Sequence, residues 1–116
     1  MGGLSTHVLD TVRGRPAAGM AVQLWRLTGD RRDLLKAVTT NQDGRTDAPL
    51  LVGGTFQPGV YELVFAAGAY FRAQQGLPEP AFLEDVVVRF GVADAAATYH
   101  VPLLLSPWSY STYRGS

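Results

Sequence analysis

The chain contains no cysteine, which excludes disulfides, thiolate zinc sites and a cysteine nucleophile together. A reducing compartment suits that absence. Neither sign of charge prevails, because ten Lys and Arg balance ten Asp and Glu. No summed field draws the protein to a polyanion, so neither a nucleic acid nor a membrane is expected as a partner. No apolar run approaches the about 20 residues needed to span a bilayer. The opening MGGLSTHVLD lacks the basic stretch and apolar segment of a secretory signal. The expectation is a soluble, cytoplasmic protein. A Walker loop, a GxSxG elbow, GxGxxG and HExxH are all missing, so phosphate cradling, serine-elbow hydrolysis, dinucleotide binding and zincin chemistry lack their required geometry.

What the chain has is the composition of one globular domain. Of 116 residues, 47% are hydrophobic and 17% charged, enough for a single core over residues 1–116. Short alternating segments separated by turn residues predict strands. Leu4 to Asp10 sets Leu4, Thr6 and Val8 against Ser5, His7 and Leu9. Met20 to Leu27 and Leu34 to Thr40 follow, the first ended by Gly29-Asp30 and the second by Asn41-Gln42-Asp43-Gly44, residues that tolerate tight turns. Val60 to Phe65 is rich in branched and aromatic residues. The period then changes, and Ala66 to Gln75 predicts one short helix stopped by Gly76 and Pro78. Leu83 to Phe90 and Thr98 to Leu105 resume alternation and are expected as neighbours in a sheet. In the second of these, Tyr99, Val101, Leu103 and Leu105 oppose His100, Pro102 and Leu104, and the proline implies an edge or an irregular position. Trp108 to Gly115 is the last strand. The expected fold class is all-β, an antiparallel sandwich of seven or eight strands with one short helix.

Two histidines exist, and each falls on the less apolar face of its strand. By themselves they read as ordinary surface imidazoles. Separated histidines with no cysteine and no paired carboxylate motif do not make up a metal ligand set, so no metal is expected. Arg45 beside an Asp-Gly turn reads locally as a solvated loop charge, and the terminal SPWSYSTYRGS as an aromatic edge strand with a frayed tip.

Four segments change that balance. Leu4-Ser5-Thr6-His7-Val8-Leu9-Asp10 with Arg13-Gly14-Arg15-Pro16-Ala17 resembles the opening strand and loop of the transthyretin-related 5-hydroxyisourate hydrolases. Asn41-Gln42-Asp43-Gly44-Arg45 resembles their arginine-bearing turn, Tyr99-His100-Val101-Pro102-Leu103-Leu104-Leu105-Ser106-Pro107 their histidine-bearing strand, and Tyr113-Arg114-Gly115-Ser116 their diagnostic tetrapeptide. The match runs in order through nearly the whole chain.

The resemblance implies a transthyretin-like two-sheet sandwich, assembled as a homotetramer, a dimer of dimers, with active sites lining a central channel. It implies hydrolysis of a ring amide of 5-hydroxyisourate by water, giving 2-oxo-4-hydroxy-4-carboxy-5-ureidoimidazoline, with no cofactor. His7 and His100 would activate or orient the water and move protons, and Arg45 would orient the substrate or stabilise developing negative charge. Tyr113 and Ser116 would hydrogen-bond the purine-like ring, and Arg114 would do the same or anchor the tail. The alternative from another class is a non-catalytic carrier of an aromatic hormone, as transthyretin itself is; it would need apolar channel contacts rather than two histidines and an arginine.

Overall fold

A computed structural model describes residues 2–115. It contains β1 (Gly3–Asp10), β2 (Arg15–Pro16), β3 (Ala21–Thr28), β4 (Arg31–Thr39), β5 (Leu51–Val52), β6 (Gly59–Phe65), α1 (Ala67–Gln74), β7 (Val86–Val92), β8 (Thr98–Leu105) and β9 (Tyr110–Thr112). One sheet has the order β2-β1-β8-β9, with β5 paired to the start of β1; the other has the order β4-β3-β6-β7. The expected two-sheet sandwich with one short helix is present.

Period-two alternation explains how the sheets face each other. Leu4 and Val8 of β1 and Val101, Leu103 and Leu105 of β8 point inward. They meet Val22 and Leu24 of β3, Tyr61, Leu63 and Phe65 of β6, and Val86 and Val88 of β7 in one buried cluster. Fully burying one such aliphatic or aromatic side chain is worth about 1.5–3 kcal/mol, so this cluster holds the layers together. The helix docks Tyr70 and Phe71 into it, their rings edge-to-face at 5.0 Å. Tyr70 also donates to Asp10 Oδ2 at 2.7 Å, tying α1 to the end of β1. Asp10 is 1% exposed and satisfied further by the backbone N–H groups of Val12 and Arg13 and by the Arg13 guanidinium.

Several expectations are corrected. The segments 83–90 and 98–105 are not neighbours: β7 pairs with β6, and β8 with β1 and β9 in the opposite sheet. The two alternate identically, and alternation carries no information about which sheet a strand joins. The β1–β8 pair is parallel, within a sandwich whose other pairs are antiparallel. β4 begins at Arg31, because Gly29, at φ +60°, closes a two-residue hairpin that pairs Thr28 with Arg31. Its register slips near Leu35, and with only Val38 packed against the core it forms a charged edge. The last strand spans only Tyr110–Thr112, and β2 and β5, two residues each, are too short for any periodic signal. Pro102 lies in an interior strand. The β9 ladder beside it ends at the Leu103–Thr112 pair and resumes as a single bridge between His100 and Gly115. The missing proline N–H therefore falls at a break in pairing, which is the irregular position expected.

Candidate active site

The site is built on the parallel β1–β8 register. Ser5 lies opposite His100, His7 opposite Pro102 and Leu9 opposite Leu104. Partners across a ladder share a face, so His7 and His100 are diagonal neighbours on the outer face of this sheet, both half-buried.

Arg45 reaches the same face by a separate device. The Asn41 side chain accepts from the N–H groups of Asp43 and Arg45 at 2.9 and 3.1 Å, and Gly44 N–H returns to the Asn41 carbonyl at 2.9 Å. Gly44 adopts φ +73°, and a Cβ there would fall on the Val8 carbonyl. Glycine is thus required twice, for its backbone angle and for close approach. The approach is used: Val8 N–H donates to the Gly44 carbonyl at 2.8 Å, and Arg45 forms an isolated antiparallel bridge with His7. The turn is bolted to β1 with the guanidinium-bearing residue beside the histidine.

His100 carries the perturbed proton affinity. Burial first, then the nearby charges of Arg45 and His7, hold its imidazole below the ordinary value of 6.5. Ser5 Oγ lies 2.8 Å from His100 Nδ1, and Gly115 N–H donates to the His100 carbonyl at 2.7 Å. Burial and the neighbouring charges thus favour the neutral imidazole, an arrangement suited to accepting a proton while negative charge develops nearby.

The structure brings His7, His100 and Arg45 together. Tyr113 and Arg114 instead line an apolar cleft of about 220 Å³ with Val88, Phe90, Tyr99 and Val101, between the edges of the two sheets. The Arg114 guanidinium lies 4.0 Å from the Tyr99 ring centroid and donates to the Thr98 carbonyl at 3.3 Å, holding the tail to β8. Ser116 lies outside the described residues. Among the described residues, no group of three or more His, Cys, Asp or Glu converges as a metal site would. Sequence reasoning missed the contacts of Ser5 and Gly115 with His100. Both residues stood within recognised segments, but only the parallel register and the returning tail put them against the imidazole.

Fold and site together define a transthyretin-type sandwich whose outer sheet face carries two imidazoles and a guanidinium. The chain belongs to the HIUase/Transthyretin family, whose model matches residues 4–115. It is 63% identical to 5-hydroxyisourate hydrolase 2 of Rhizobium meliloti (strain 1021), over 99% of this chain and 97% of that protein. Among solved structures it resembles the Klebsiella pneumoniae 5-hydroxyisourate hydrolase, at TM-score 0.82 and 34% identity with both chains fully covered. It also resembles sea bream transthyretin in complex with thyroxine, at TM-score 0.88 and 30% identity over 97% of this chain and 94% of that one.

Proposed function

We infer that this protein is an enzyme that hydrolyses the cyclic amide of 5-hydroxyisourate in urate breakdown, as the names of its relatives indicate. The observation that carries the reading is the convergence of His7, His100 and Arg45 on one outer face, with the proton affinity of His100 lowered.

An amide resists water because water is a weak nucleophile and the carbonyl oxygen must take up negative charge. His100 answers the first difficulty: held neutral, it accepts the proton of the attacking water as the new C–O bond forms. His7, on the same face, orients that water and relays protons toward the leaving nitrogen. Arg45 answers the second, its planar fork meeting the developing oxyanion or the substrate's own carbonyls. The ring C–N bond then breaks, the nitrogen takes a proton, and the carboxylate product remains. No step calls for a cofactor.

A sheet face is too shallow to enclose a purine-sized ring, and we propose a homotetramer, a dimer of dimers, in which this face lines a channel. Phe82 and Trp108 support assembly: they are 72% and 60% exposed, with ring centroids 6.4 Å apart, an aromatic surface of the kind that marks interfaces. In this reading Tyr113 lies at the channel rim and contacts the ring of the substrate, Arg114 chiefly anchors the tail, and Ser116 is assigned a hydrogen bond to that ring by the family resemblance alone. We place the enzyme in the cytoplasm, consistent with the lack of cysteine. Among the described residues no helix is long and apolar enough to cross a membrane.

The test is the decay of absorbance of freshly generated 5-hydroxyisourate with and without the protein. His7→Ala and His100→Ala are expected to cut turnover on the order of a hundredfold to ten-thousandfold while leaving the melt and the assembly intact. Decay no faster than the spontaneous rate with the wild-type protein would refute the activity, and near-normal turnover in either variant would remove that histidine from the mechanism.

A further inference from the structure

We propose that Ser5 and Gly115 are positioning residues of this reaction: they hold the two flanks of the His100 imidazole and leave its Nε2 edge as the one presented to substrate. This rests on the reading of His100 as the proton acceptor.

The geometry is specific. Nδ1 and Cδ2 are the two ring atoms that adjoin Cγ, one on each flank. Ser5 Oγ stands 2.8 Å from Nδ1, placed there by the parallel register that sets Ser5 opposite His100. On the other flank, a Cβ built on Gly115 would lie 2.7 Å from Cδ2 and 3.3 Å from Cγ. The tail backbone therefore lies against the ring, and only glycine permits it. The 2.7 Å bond from Gly115 N–H to the His100 carbonyl and the Arg114 contacts with Tyr99 and Thr98 keep that backbone in place. A flipped ring would put carbon against the Ser5 hydroxyl and nitrogen against the tail, so one orientation is selected. With Nδ1–H donating to the Ser5 hydroxyl, Nε2 keeps its lone pair and is the nitrogen left to accept a proton, the part a second hydrogen-bonding group plays for a functional histidine.

The experiment compares Ser5→Ala, Ser5→Thr, Gly115→Ala and His100→Ala by turnover of freshly generated 5-hydroxyisourate, by thermal melting, and by the ¹⁵N shifts of the histidine side chains. Ser5→Ala is expected to lower kcat roughly tenfold, the equivalent of one net hydrogen bond, with KM little changed and the ¹⁵N shifts of His100 moved toward a tautomer mixture. Ser5→Thr retains the hydroxyl and restores both. Gly115→Ala displaces the ring and lowers kcat about a hundredfold, the usual consequence of a misplacement near 1 Å. Turnover surviving in His100→Ala removes the proton-acceptor reading itself. Turnover lost in His100→Ala but unchanged in Ser5→Ala and Gly115→Ala overturns the positioning role alone. Should Gly115→Ala melt early, Ser5→Ala decides: normal kcat with unchanged ¹⁵N shifts overturns the proposal.

Discussion

Two glycines with nearly the same backbone angle provide a controlled test of how Arg45 is held. Gly14 adopts φ +69° and Gly44 φ +73°. Alanine at either position carries the left-handed cost of about 1–2 kcal/mol. At Gly14 nothing lies within 4 Å of the new Cβ, so that cost stands alone. At Gly44 the Cβ falls on the Val8 carbonyl, with Pro16 Cβ at 3.1 Å and Ala17 N at 3.3 Å. Relief requires moving backbone, and overpacking of this kind adds roughly 1–3 kcal/mol. Lifting the turn also strains the Val8 N–H to Gly44 carbonyl bond of 2.8 Å, worth about 1 kcal/mol net. At about 4 °C per kcal/mol for a domain of this size, Gly14→Ala is expected to lower Tm by roughly 4–8 °C and Gly44→Ala by roughly 12–24 °C, measured at one fixed protein concentration because assembly contributes to Tm. Below its melt, Gly44→Ala loses most turnover of 5-hydroxyisourate because Arg45 moves with the turn, whereas Gly14→Ala retains it. Equal Tm shifts, or full turnover in Gly44→Ala, would refute the argument that close approach to β1 positions the arginine.

Arg45→Lys keeps the charge but loses the planar, two-pronged contact; kcat/KM for 5-hydroxyisourate should fall at least tenfold, and equal activity would reduce Arg45 to a solvated loop residue. Because His100 is held below 6.5 by burial, then by Arg45 and His7, its neutral form favours the fold: this contribution is complete above about pH 6.5 and is lost as pH falls through the folded value. An NMR titration should find His100 below 6.5, rising only partway toward it in Arg45→Met, since burial is the larger cause. Tyr70→Phe removes the donor to Asp10, whose carboxyl burial pushes up but hydrogen bonds from Tyr70, Arg13 and Val12 hold below 3.8. The variant should lose roughly 1.5–3 kcal/mol, and its acid-unfolding midpoint should move to higher pH, since stability from a depressed carboxylate is full above the unfolded value and disappears as pH falls through the folded one. Truncation before Tyr113 removes the Arg114 contacts and the Gly115 bridge to His100; an inactive protein with a modestly lowered melt and native size on gel filtration is expected, and near-normal turnover would make the tail a bland edge.

The class of fold and the face each histidine occupies are both legible in the chain, because both follow from local alternation. Leu4, Thr6 and Val8 are buried and Ser5, His7 and Leu9 are not, as the period requires, and the Asn41 to Gly44 turn chemistry is equally local. The helix was legible from its alanines and its stop, and differs from the expected 66–75 by one residue at each end. Identity of the chemistry came from four recognisable segments, not from pattern. Which strands meet is settled by the packed fold. The parallel pairing of β1 with β8 joins residues 95 apart in the chain, Ser5 and His100, and the bridge of Arg45 to His7 depends on a glycine approaching a carbonyl in another strand. Such contacts arise when two sheets bury a common core, which selects partners by shape and total burial over the whole domain. A residue's near neighbours in sequence do not encode that choice, and so Ser5 and Gly115 had no signal of their own until the fold put them against the imidazole.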